Sequence, residues 1–291
     1  MLKTFSTRRW NEQFSECLQK QSVEDLENGN ILFFPDLAFT LLEEEKHFLS
    51  PDIADPHAKN VSYQISRNKL WGVQHLTDQQ HLSLKALLDR YATFANNLIK
   101  ALMPLYSEHL TIGRTSFRPV QISNRQTSYR KDDKRLHVDA FPSAPNQGQR
   151  ILRVFSNINP KAEDRVWRVG EPFEKVAERF LAKISAPFPG AAAMLRLLKI
   201  TKSYRTLYDH YMLRMHDLMK SDNDYQKTVP QQEVRFPAGS TWVVQTDHVS
   251  HAAMQGQYVV EQTFYLPIKA MVNMELSPLK VLEKMLQKRL V

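Results

Sequence analysis

The tripeptide His137-Val138-Asp139 brings together two side chains that can bind a metal ion, with one residue between them. In an extended strand, residues i and i+2 project from the same face, so this imidazole and this carboxylate would converge on one point. Such a pair supplies two ligands of a three-ligand site on one face of a metal, an arrangement typical of non-haem Fe(II) oxygenases. A His-x-Asp pair also occurs often by chance, so the prediction depends on a third ligand.

The third ligand has to come from a later strand, and residues 241–254 contain two candidates, His248 and His251. They lie three residues apart and face opposite ways in extended structure, so only one of them should bind the metal. We favour His251, because small residues follow it and leave room beside an ion. We interpret His248 as an exposed turn residue. His210 and His216 lie in a helical pattern at a spacing that separates their faces, and we interpret them as surface or core polar residues.

Strands must position these ligands. Runs rich in β-branched and aromatic residues predict strands at 115–123, 135–138, 150–158, 233–236, 240–245 and 257–266. A helical pattern at 173–222 interrupts the strands, and residues 1–114 are mainly helical with short connecting strands. Thr77 is the candidate N-cap of a long helix that Pro104 ends. This order predicts a single domain over 1–291, a sandwich or open barrel with helices packed outside.

The chain has 291 residues, with 39 Lys or Arg against 31 Asp or Glu, and a formal net charge of +8. This balance permits nucleic acid, acidic lipid or an anionic metabolite as the partner. The basic residues are spread along the chain and form no recognisable nucleic-acid motif, so we expect no nucleic-acid partner. The single cysteine, Cys17, excludes an intrachain disulfide and a thiolate zinc cluster, which favours a reducing compartment.

The C-terminal residues 277–291 predict an amphipathic helix. Four leucines recur at spacings of three and four, and lysines and an arginine surround them: Leu279, Leu282, Leu286, Leu290, Lys280, Lys284, Lys288 and Arg289. Such a helix either lies on an anionic membrane surface or covers the barrel or a subunit contact. No apolar run approaches the ~20 residues of a spanning helix, and the N-terminus lacks a secretory signal. We expect a soluble or peripherally bound cytoplasmic protein.

Several longer stretches resemble a known family. They are RPVQIS at 118–123, LHVDAFPS at 136–143, RVFSNINP at 153–160, VSH at 249–251 and EQTF at 261–264. The order of His137, Asp139 and a distant His251 is that of the metal ligands in Fe(II)/2-oxoglutarate-dependent dioxygenases. The longer stretches are similar to the Kdo hydroxylases of that superfamily, which modify 3-deoxy-D-manno-oct-2-ulosonic acid (Kdo), the acidic sugar of the lipopolysaccharide inner core. The resemblance covers roughly residues 115 to 268.

The resemblance implies an α+β fold with a double-stranded β-helix core, jelly-roll or cupin-like, surrounded by N-terminal helices and the helical insertion. It implies that His137, Asp139 and His251 bind Fe(II) at the catalytic centre, with 2-oxoglutarate and O2 as co-substrates and ascorbate as a stimulant. The implied reaction hydroxylates carbon 3 of Kdo in Kdo-lipid A or a related anionic glycolipid. The implied location is the bacterial cytoplasm, with peripheral contact at the inner face of the cytoplasmic membrane.

One departure from the superfamily concerns the cation that pairs with the far carboxylate of 2-oxoglutarate. Many relatives carry Arg or Lys where this chain has Glu261 and Gln262. Arg153, on the strand after the His-x-Asp pair, is the first choice instead, because a guanidinium pairs with a carboxylate through two parallel hydrogen bonds. Its alternative is a surface ion pair. Arg118 and Arg150 are the reserves, and Gln262 is expected to donate hydrogen bonds to the same co-substrate.

Arg125, Arg130 and Lys134 lie near the approach to the His-x-Asp pair and are candidate partners of an acidic substrate. The alternative for each is a solvated loop charge.

Two other functions stay open. One alternative is another dioxygenase of the superfamily that acts on a small metabolite or lipid. The other is a non-catalytic cupin-like module whose His-Asp-His trio holds zinc or no metal. Release of succinate would separate an enzyme from a binding module.

Overall fold

The computed structural model describes residues 1–58, 60–123 and 127–291. The strands are β1 (Leu2–Thr4), β2 (Ile31–Phe34), β3 (Val61–Gln64), β4 (Lys69–Trp71), β5 (Thr111–Arg118), β6 (Arg150–Asn157), β7 (Arg165–Val169), β8 (Gln232–Phe236), β9 (Thr241–Gln245), β10 (His251–Gln255) and β11 (Val259–Leu266). The helices are α1 (Glu16–Glu27), α2 (Asp78–Leu102), α3 (Pro104–Ser107), α4 (Phe173–Phe180), α5 (Ala191–Leu197), α6 (Leu207–Ser221), α7 (Asn223–Thr228) and α8 (Pro278–Leu286).

Two sheets form the centre of the fold. The larger has eight strands in the order β1-β2-β9-β6-β11-β5-β3-β4, and the smaller has three in the order β10-β7-β8. A buried aromatic cluster packs them face to face, with Phe155 of β6 at 5.3 Å from Trp167 of β7 and Trp242 of β9 at 4.1 Å from Phe236 of β8 (ring centroids). Helices cover the outside. The predicted α+β fold with a double-stranded β-helix core is confirmed.

The strand predictions hold for the centre of the sheets and are wrong at some edges. Residues 135–138 form no regular strand, and only a single bridge joins His137 to His251. The strand predicted at 115–123 ends at Arg118, because Pro119 has no backbone N–H to continue the ladder. The N-terminal part contributes β1 to β4 to the large sheet, so the short strands expected between its helices belong to the central sheet.

Helices α1 and α2 pack on the outer face of the large sheet, through a core that joins Leu26, Leu88 and Tyr91 to the sheet residues Leu152 and Val154. Thr77 caps α2 as predicted. Its side chain accepts a hydrogen bond from the Gln80 backbone, and the Gln80 side chain accepts one from Thr77. Helices α4 to α7 form the insertion, which runs six residues beyond its predicted end.

The C-terminal helix α8 is capped by Ser277 and packs into the protein. Leu279, Val281, Leu282 and Leu290 are buried in a second core with α4 and α6. The apolar face that the sequence predicts is therefore covered by the fold, which supports the interpretation of α8 as a structural helix. Within the described residues, no helix combines the length and the apolarity needed to cross a bilayer.

Candidate active site

The segment around His137 is held between the small sheet and the helical insertion. The side chain of Gln226 on α7 accepts a hydrogen bond from Leu136 N and donates one to Leu136 O, as a neighbouring strand would. Leu136 and Val138 point into the helical core. Because alternate residues of an extended chain face opposite ways, His137 and Asp139 project to the other side, into the cavity between the sheets.

His251 begins β10 and meets His137 across a pair of backbone hydrogen bonds, 3.0 Å and 2.9 Å long. Asp139 N donates to Thr246 O at 2.8 Å, which fixes the carboxylate on the same side. One ligand atom from each of His137, Asp139 and His251 lies within 4.8 Å of the others, and no other such trio of candidate ligands occurs in the described parts of the chain. The predicted third ligand thus joins the predicted pair.

Both imidazoles are oriented by the backbone. His137 Nδ1 lies 2.7 Å from Arg135 O, and His251 Nδ1 lies 2.8 Å from Val249 O. A carbonyl only accepts, so each Nδ1 carries the proton and each Nε2 keeps its lone pair, the state that binds a metal. Burial lowers the pKa of both rings, with Lys220 adding to the shift at His137, so both are neutral at pH 7. This donor set of two imidazoles and a carboxylate fits Fe(II).

The cavity around the trio has a volume of about 640 Å³. Its described lining carries seven cationic side chains and four carboxylates. The cations are Arg114, Arg118, Arg130, Lys131, Arg153, Arg165 and Lys220, and the carboxylates are Asp133, Asp139, Asp217 and Glu261. A cationic excess in an enclosed space favours an anionic ligand, because the surrounding protein screens the charges less than water does.

Arg153 lies at the centre of a chain of alternating charges. Its Nη2 is 3.0 Å from Asp139 Oδ2, and its Nη1 is 3.2 Å from Glu261 Oε1. Glu261 also accepts two hydrogen bonds from Arg118, 2.9 Å and 2.6 Å long. Burial raises the pKa of Glu261, but Arg118 and Arg153 outweigh that effect and hold it below its ordinary value. Arg153 is therefore a buried group of the cavity, not the surface ion pair considered from sequence.

Two predicted co-substrate residues face away from the cavity. On β11, Glu261, Thr263 and Tyr265 line it, so Gln262 points to the other face, where Thr115 Oγ1 donates to its Oε1 at 2.6 Å. The structure therefore places the Gln262 side chain away from the cavity in which its contact with the co-substrate was expected. Arg150 likewise lies opposite Arg153 on β6, fully buried, and pairs with Asp247 at 2.7 Å.

The other sequence-based candidates have mixed positions. His248 is buried and packs its ring at 5.8 Å from Phe173, so its interpretation as exposed is wrong, but its ring is not part of the ligand trio. Arg130 lines the cavity and pairs with Asp217 at 3.2 Å. Lys134 is not among the described lining residues and reaches Ser123 O at 3.5 Å. Arg125 lies outside the described residues.

Sequence reasoning missed Arg165 and Trp167 on β7. Trp167 stacks on His251 at 4.9 Å between ring centroids, which restrains that ligand. Its Nε1 is buried with no acceptor among the described residues, so it is available to a bound molecule. Arg165 donates to Gly256 O at 3.0 Å. A Cβ at Gly256, whose φ is +116°, would lie 2.8 Å from Arg165 Cδ, so a side chain there would displace the arginine.

Helix α6 brings His216, Asp217 and Lys220 to the side of the cavity next to His137. The ring of His216 lies 5.3 Å from that of His137 and nearly perpendicular to it, and Asp217 lies 3.1 Å from its Nδ1. Lys220 is buried and donates to Arg130 O at 3.2 Å. The interpretation of His216 as an ordinary helix residue overlooked this position, since helical spacing says nothing about which sheet residue a helix meets.

The chain matches the family model described as 3-deoxy-D-manno-oct-2-ulosonic acid (Kdo) hydroxylase over residues 9–289. It is 50% identical to the solved Kdo hydroxylase KdoO in complex with α-ketoglutarate and Fe(III), a non-heme Fe(II) α-ketoglutarate-dependent dioxygenase, with a TM-score of 0.95. The apo and cobalt(II) forms of KdoO give a TM-score of 0.96 at the same identity, and each match covers 100% of this chain and 97% of the other. No curated protein sequence matches. By the family model and this similarity, the chain belongs to the Kdo hydroxylase family.

Proposed function

We propose that this chain hydroxylates carbon 3 of Kdo in a reaction that consumes O2 and 2-oxoglutarate and depends on Fe(II). The observation that carries the proposal is the convergence of His137, Asp139 and His251 in a cavity with an excess of arginine and lysine. Family membership and the ligands of the solved KdoO structures, α-ketoglutarate, succinate and iron, support the same activity.

His137, Asp139 and His251 would hold Fe(II), with fewer protein ligands than the metal accepts, so that the co-substrates could bind it as well. When bound, the iron couples oxidation of 2-oxoglutarate to succinate and CO2 with insertion of one oxygen atom of O2 into the C–H bond of the acceptor. The protein keeps both imidazoles neutral, aims each Nε2 at the metal through its Nδ1–H, and stacks Trp167 against His251. These contacts fix the ligand geometry before the co-substrates bind.

Arg153 and Arg118 are the proposed partners of the 2-oxoglutarate carboxylates. Each guanidinium has five N–H donors, and Glu261 uses only part of them. Glu261 holds both planes in place, so less side-chain entropy is lost when a carboxylate binds. Arg130 and Lys131 on the exposed side of the cavity are suited to the carboxylate or phosphate groups of the acceptor.

The proposed acceptor is Kdo-lipid A or a related anionic glycolipid, which places the enzyme in the bacterial cytoplasm in peripheral contact with the inner face of the membrane. The net charge of +8 is suited to a phosphorylated lipid. In helix α8, Leu279 and Leu282 are buried and Leu286 packs partly buried against the same core, so these leucines are not proposed as the membrane contact.

Mass spectrometry of Kdo-lipid A tests the proposal, after incubation with the protein, Fe(II), ascorbate, O2 and 2-oxoglutarate. We expect a gain of one oxygen on the Kdo unit, absent for His137→Ala and retained for His109→Ala, a histidine that lines no part of the described cavity. Succinate release without a modified acceptor would retain the dioxygenase and reject the acceptor. Neither product from folded, iron-loaded protein would favour the non-catalytic module.

A further inference from the structure

An unusual cluster of apolar side chains lies on the surface at α5 and its flanking turns. Of the 17 exposed large apolar residues in the described chain, six fall within residues 188–204 and each is more than half exposed: Phe188, Met194, Leu197, Leu198, Ile200 and Tyr204. No residue of α5 is buried, although its sequence is AAAMLRL. We call these six residues the apolar tip. Exposed apolar residues concentrated in one short segment indicate an interaction site, whereas single exposed apolar residues scattered over a surface are ordinary.

The segment that carries the apolar tip also contains basic residues and no acidic ones. Arg196, Lys199, Lys202 and Arg205 fall in the same segment, and no Asp or Glu occurs between residues 179 and 208. Partial burial, with Arg114 and Arg67 nearby, lowers the pKa of Lys202, so the positive field extends beyond the segment. Arg114 lines the cavity, which connects this field to the candidate active site.

The same segment is attached to the rim of the cavity. Lys202 N donates to Ser143 O at 2.9 Å, Gln147 Nε2 donates to Tyr204 O at 3.1 Å, and Arg205 donates to Pro142 O. Pro142 is both exposed and part of the cavity lining, so it belongs to the rim. A surface held by the apolar tip would therefore lie beside the entrance to the metal site.

We propose that the apolar tip and its cations form a docking surface for an anionic lipid bilayer. The leucines enter the boundary between headgroups and acyl chains, and the lysines and arginines contact the anionic headgroups. Charge favours a lipid surface over a second copy of this chain, because the segment has no carboxylate to meet its own cations. The inference deepens the proposed function, on which it rests for its lipid-linked acceptor: docking brings the cavity rim to the membrane that carries Kdo.

Vesicle partitioning tests the surface without turnover. The iron-loaded protein is sedimented with vesicles of phosphatidylglycerol and phosphatidylethanolamine, and with vesicles of phosphatidylcholine alone. The variant Lys199→Glu/Lys202→Glu should lose more than about twentyfold in partitioning to the anionic vesicles, since each basic residue contributes about fivefold and reversal adds repulsion. Leu197→Ser/Leu198→Ser should lose at least about tenfold in binding. Both pairs are exposed, so folding should be unaffected.

Matched variants elsewhere on the surface serve as controls. Lys20→Glu/Lys100→Glu makes the same change of charge on α1 and α2, and Leu82→Ser/Leu105→Ser removes two leucines that are also more than half exposed. Both should partition within twofold of the wild type. A direct reporter is Leu197→Trp, whose emission should shift to shorter wavelength with anionic vesicles.

Three results would overturn the proposal. The first is a wild type that does not bind the anionic vesicles, and the second is a pair of tip variants that bind as the controls do. The third is a wild-type dimer that Leu197→Ser/Leu198→Ser converts to a monomer, which would assign the surface to self-association.

Activity measurements separate this proposal from the proposed acceptor. The tip variants should hydroxylate a deacylated, water-soluble Kdo oligosaccharide as the wild type does, and lose turnover only on Kdo-lipid A embedded in vesicles. A wild type that hydroxylates neither acceptor would reject the proposed function, and the vesicle experiment would still decide the docking surface. Equal turnover of wild type and tip variants on embedded acceptor would count against docking as a step in substrate access.

Discussion

Arg153 contacts both a proposed metal ligand and the proposed site of the co-substrate, so its replacement separates two roles. Its guanidinium lies 3.0 Å from Asp139 and 3.2 Å from Glu261. In Arg153→Ala, Glu261 keeps its two hydrogen bonds from Arg118, and the Asp139 carboxylate, which loses the arginine 3.0 Å away, is a group that bound Fe(II) would neutralise. We therefore expect the variant to fold, with its effect concentrated in ligand binding.

The two effects differ in size. A hydrogen bond to a charged group contributes about 1.5–3 kcal/mol, so losing a two-bond pair with 2-oxoglutarate should raise its apparent KM at least about a hundredfold. Asp139 keeps its backbone hydrogen bond to Thr246 when Arg153 is removed. Loss of an outer partner of a metal ligand lowers metal affinity by about tenfold at the lower end of its range. The KM for 2-oxoglutarate should therefore change more than the affinity for iron.

Two further variants separate charge from geometry. Arg153→Lys keeps the cation but replaces the planar fork with one ammonium group, so we expect the KM to rise about tenfold. Arg118→Ala removes a cation that contacts Glu261 and Asp133 but not Asp139. This variant should raise the KM for 2-oxoglutarate while its iron affinity stays within twofold of the wild type.

The assay follows succinate release against 2-oxoglutarate concentration at saturating Fe(II), with iron affinity from a separate titration and folding from circular dichroism. An Arg153→Ala protein with a KM within threefold of the wild type would refute the reasoning. Arg153 would then be an ion-pair partner of Asp139 and Glu261 only. The anchoring role would pass to Arg118 or to Arg165, which also lines the cavity.

Three other predictions concern the surroundings of the site. Burial and Arg150 lower the pKa of His248 to about 3. Below pH ~6.5 its imidazole is therefore protonated in the unfolded chain but stays neutral in the folded chain. The wild type should lose up to about 1.4 kcal/mol of unfolding free energy per pH unit in that range, and His248→Gln should lose less in denaturant titrations while retaining turnover. Leu282→Ala, in the buried face of α8, should cost about 2–5 kcal/mol of stability and leave vesicle partitioning unchanged, as sedimentation would show. Trp167→Phe keeps the stack on His251 but removes the buried Nε1–H, so the KM for 2-oxoglutarate should rise about fivefold while iron affinity is unchanged.

Much of the framework could be predicted from sequence because it depends on local patterns. The capping box at Thr77 and the strand patterns around β6, β9 and β11 depend on residues close together in the chain. The pairing of His137 with Asp139 follows from the two-residue repeat of extended chain, and that repeat holds although the segment forms no regular strand. The sequence offered His248 and His251 as the third ligand, and the structure places His251, the favoured one, next to His137 and Asp139.

What could not be predicted depends on contacts between distant segments. The sequence around Gln262 does not show which face of β11 meets the cavity, because both faces are buried. His248 was misjudged as exposed for a related reason, since α4 and its Phe173 cover the turn. His216 approaches His137 only because α6 packs over the segment that precedes β6. Sequence periodicity gives no information on which distant segment a helix packs against, so spacing alone could not assign His216 a role.

Glu261 accounts for the proposed position of the co-substrate cation, which lies on a different strand from that of many relatives. An acid at this position on β11 would repel a carboxylate if it stood alone in the cavity, yet two arginines neutralise it, Arg118 from β5 and Arg153 from β6. The strands flank β11 on both sides, so each guanidinium reaches the same carboxylate from its own side. With Asp139 the group contains two cations and two anions, so it contributes orientation rather than net charge. The attraction for 2-oxoglutarate and an acidic sugar must then come from the metal and from the remaining cations of the cavity, including Arg114, Arg165 and Lys220.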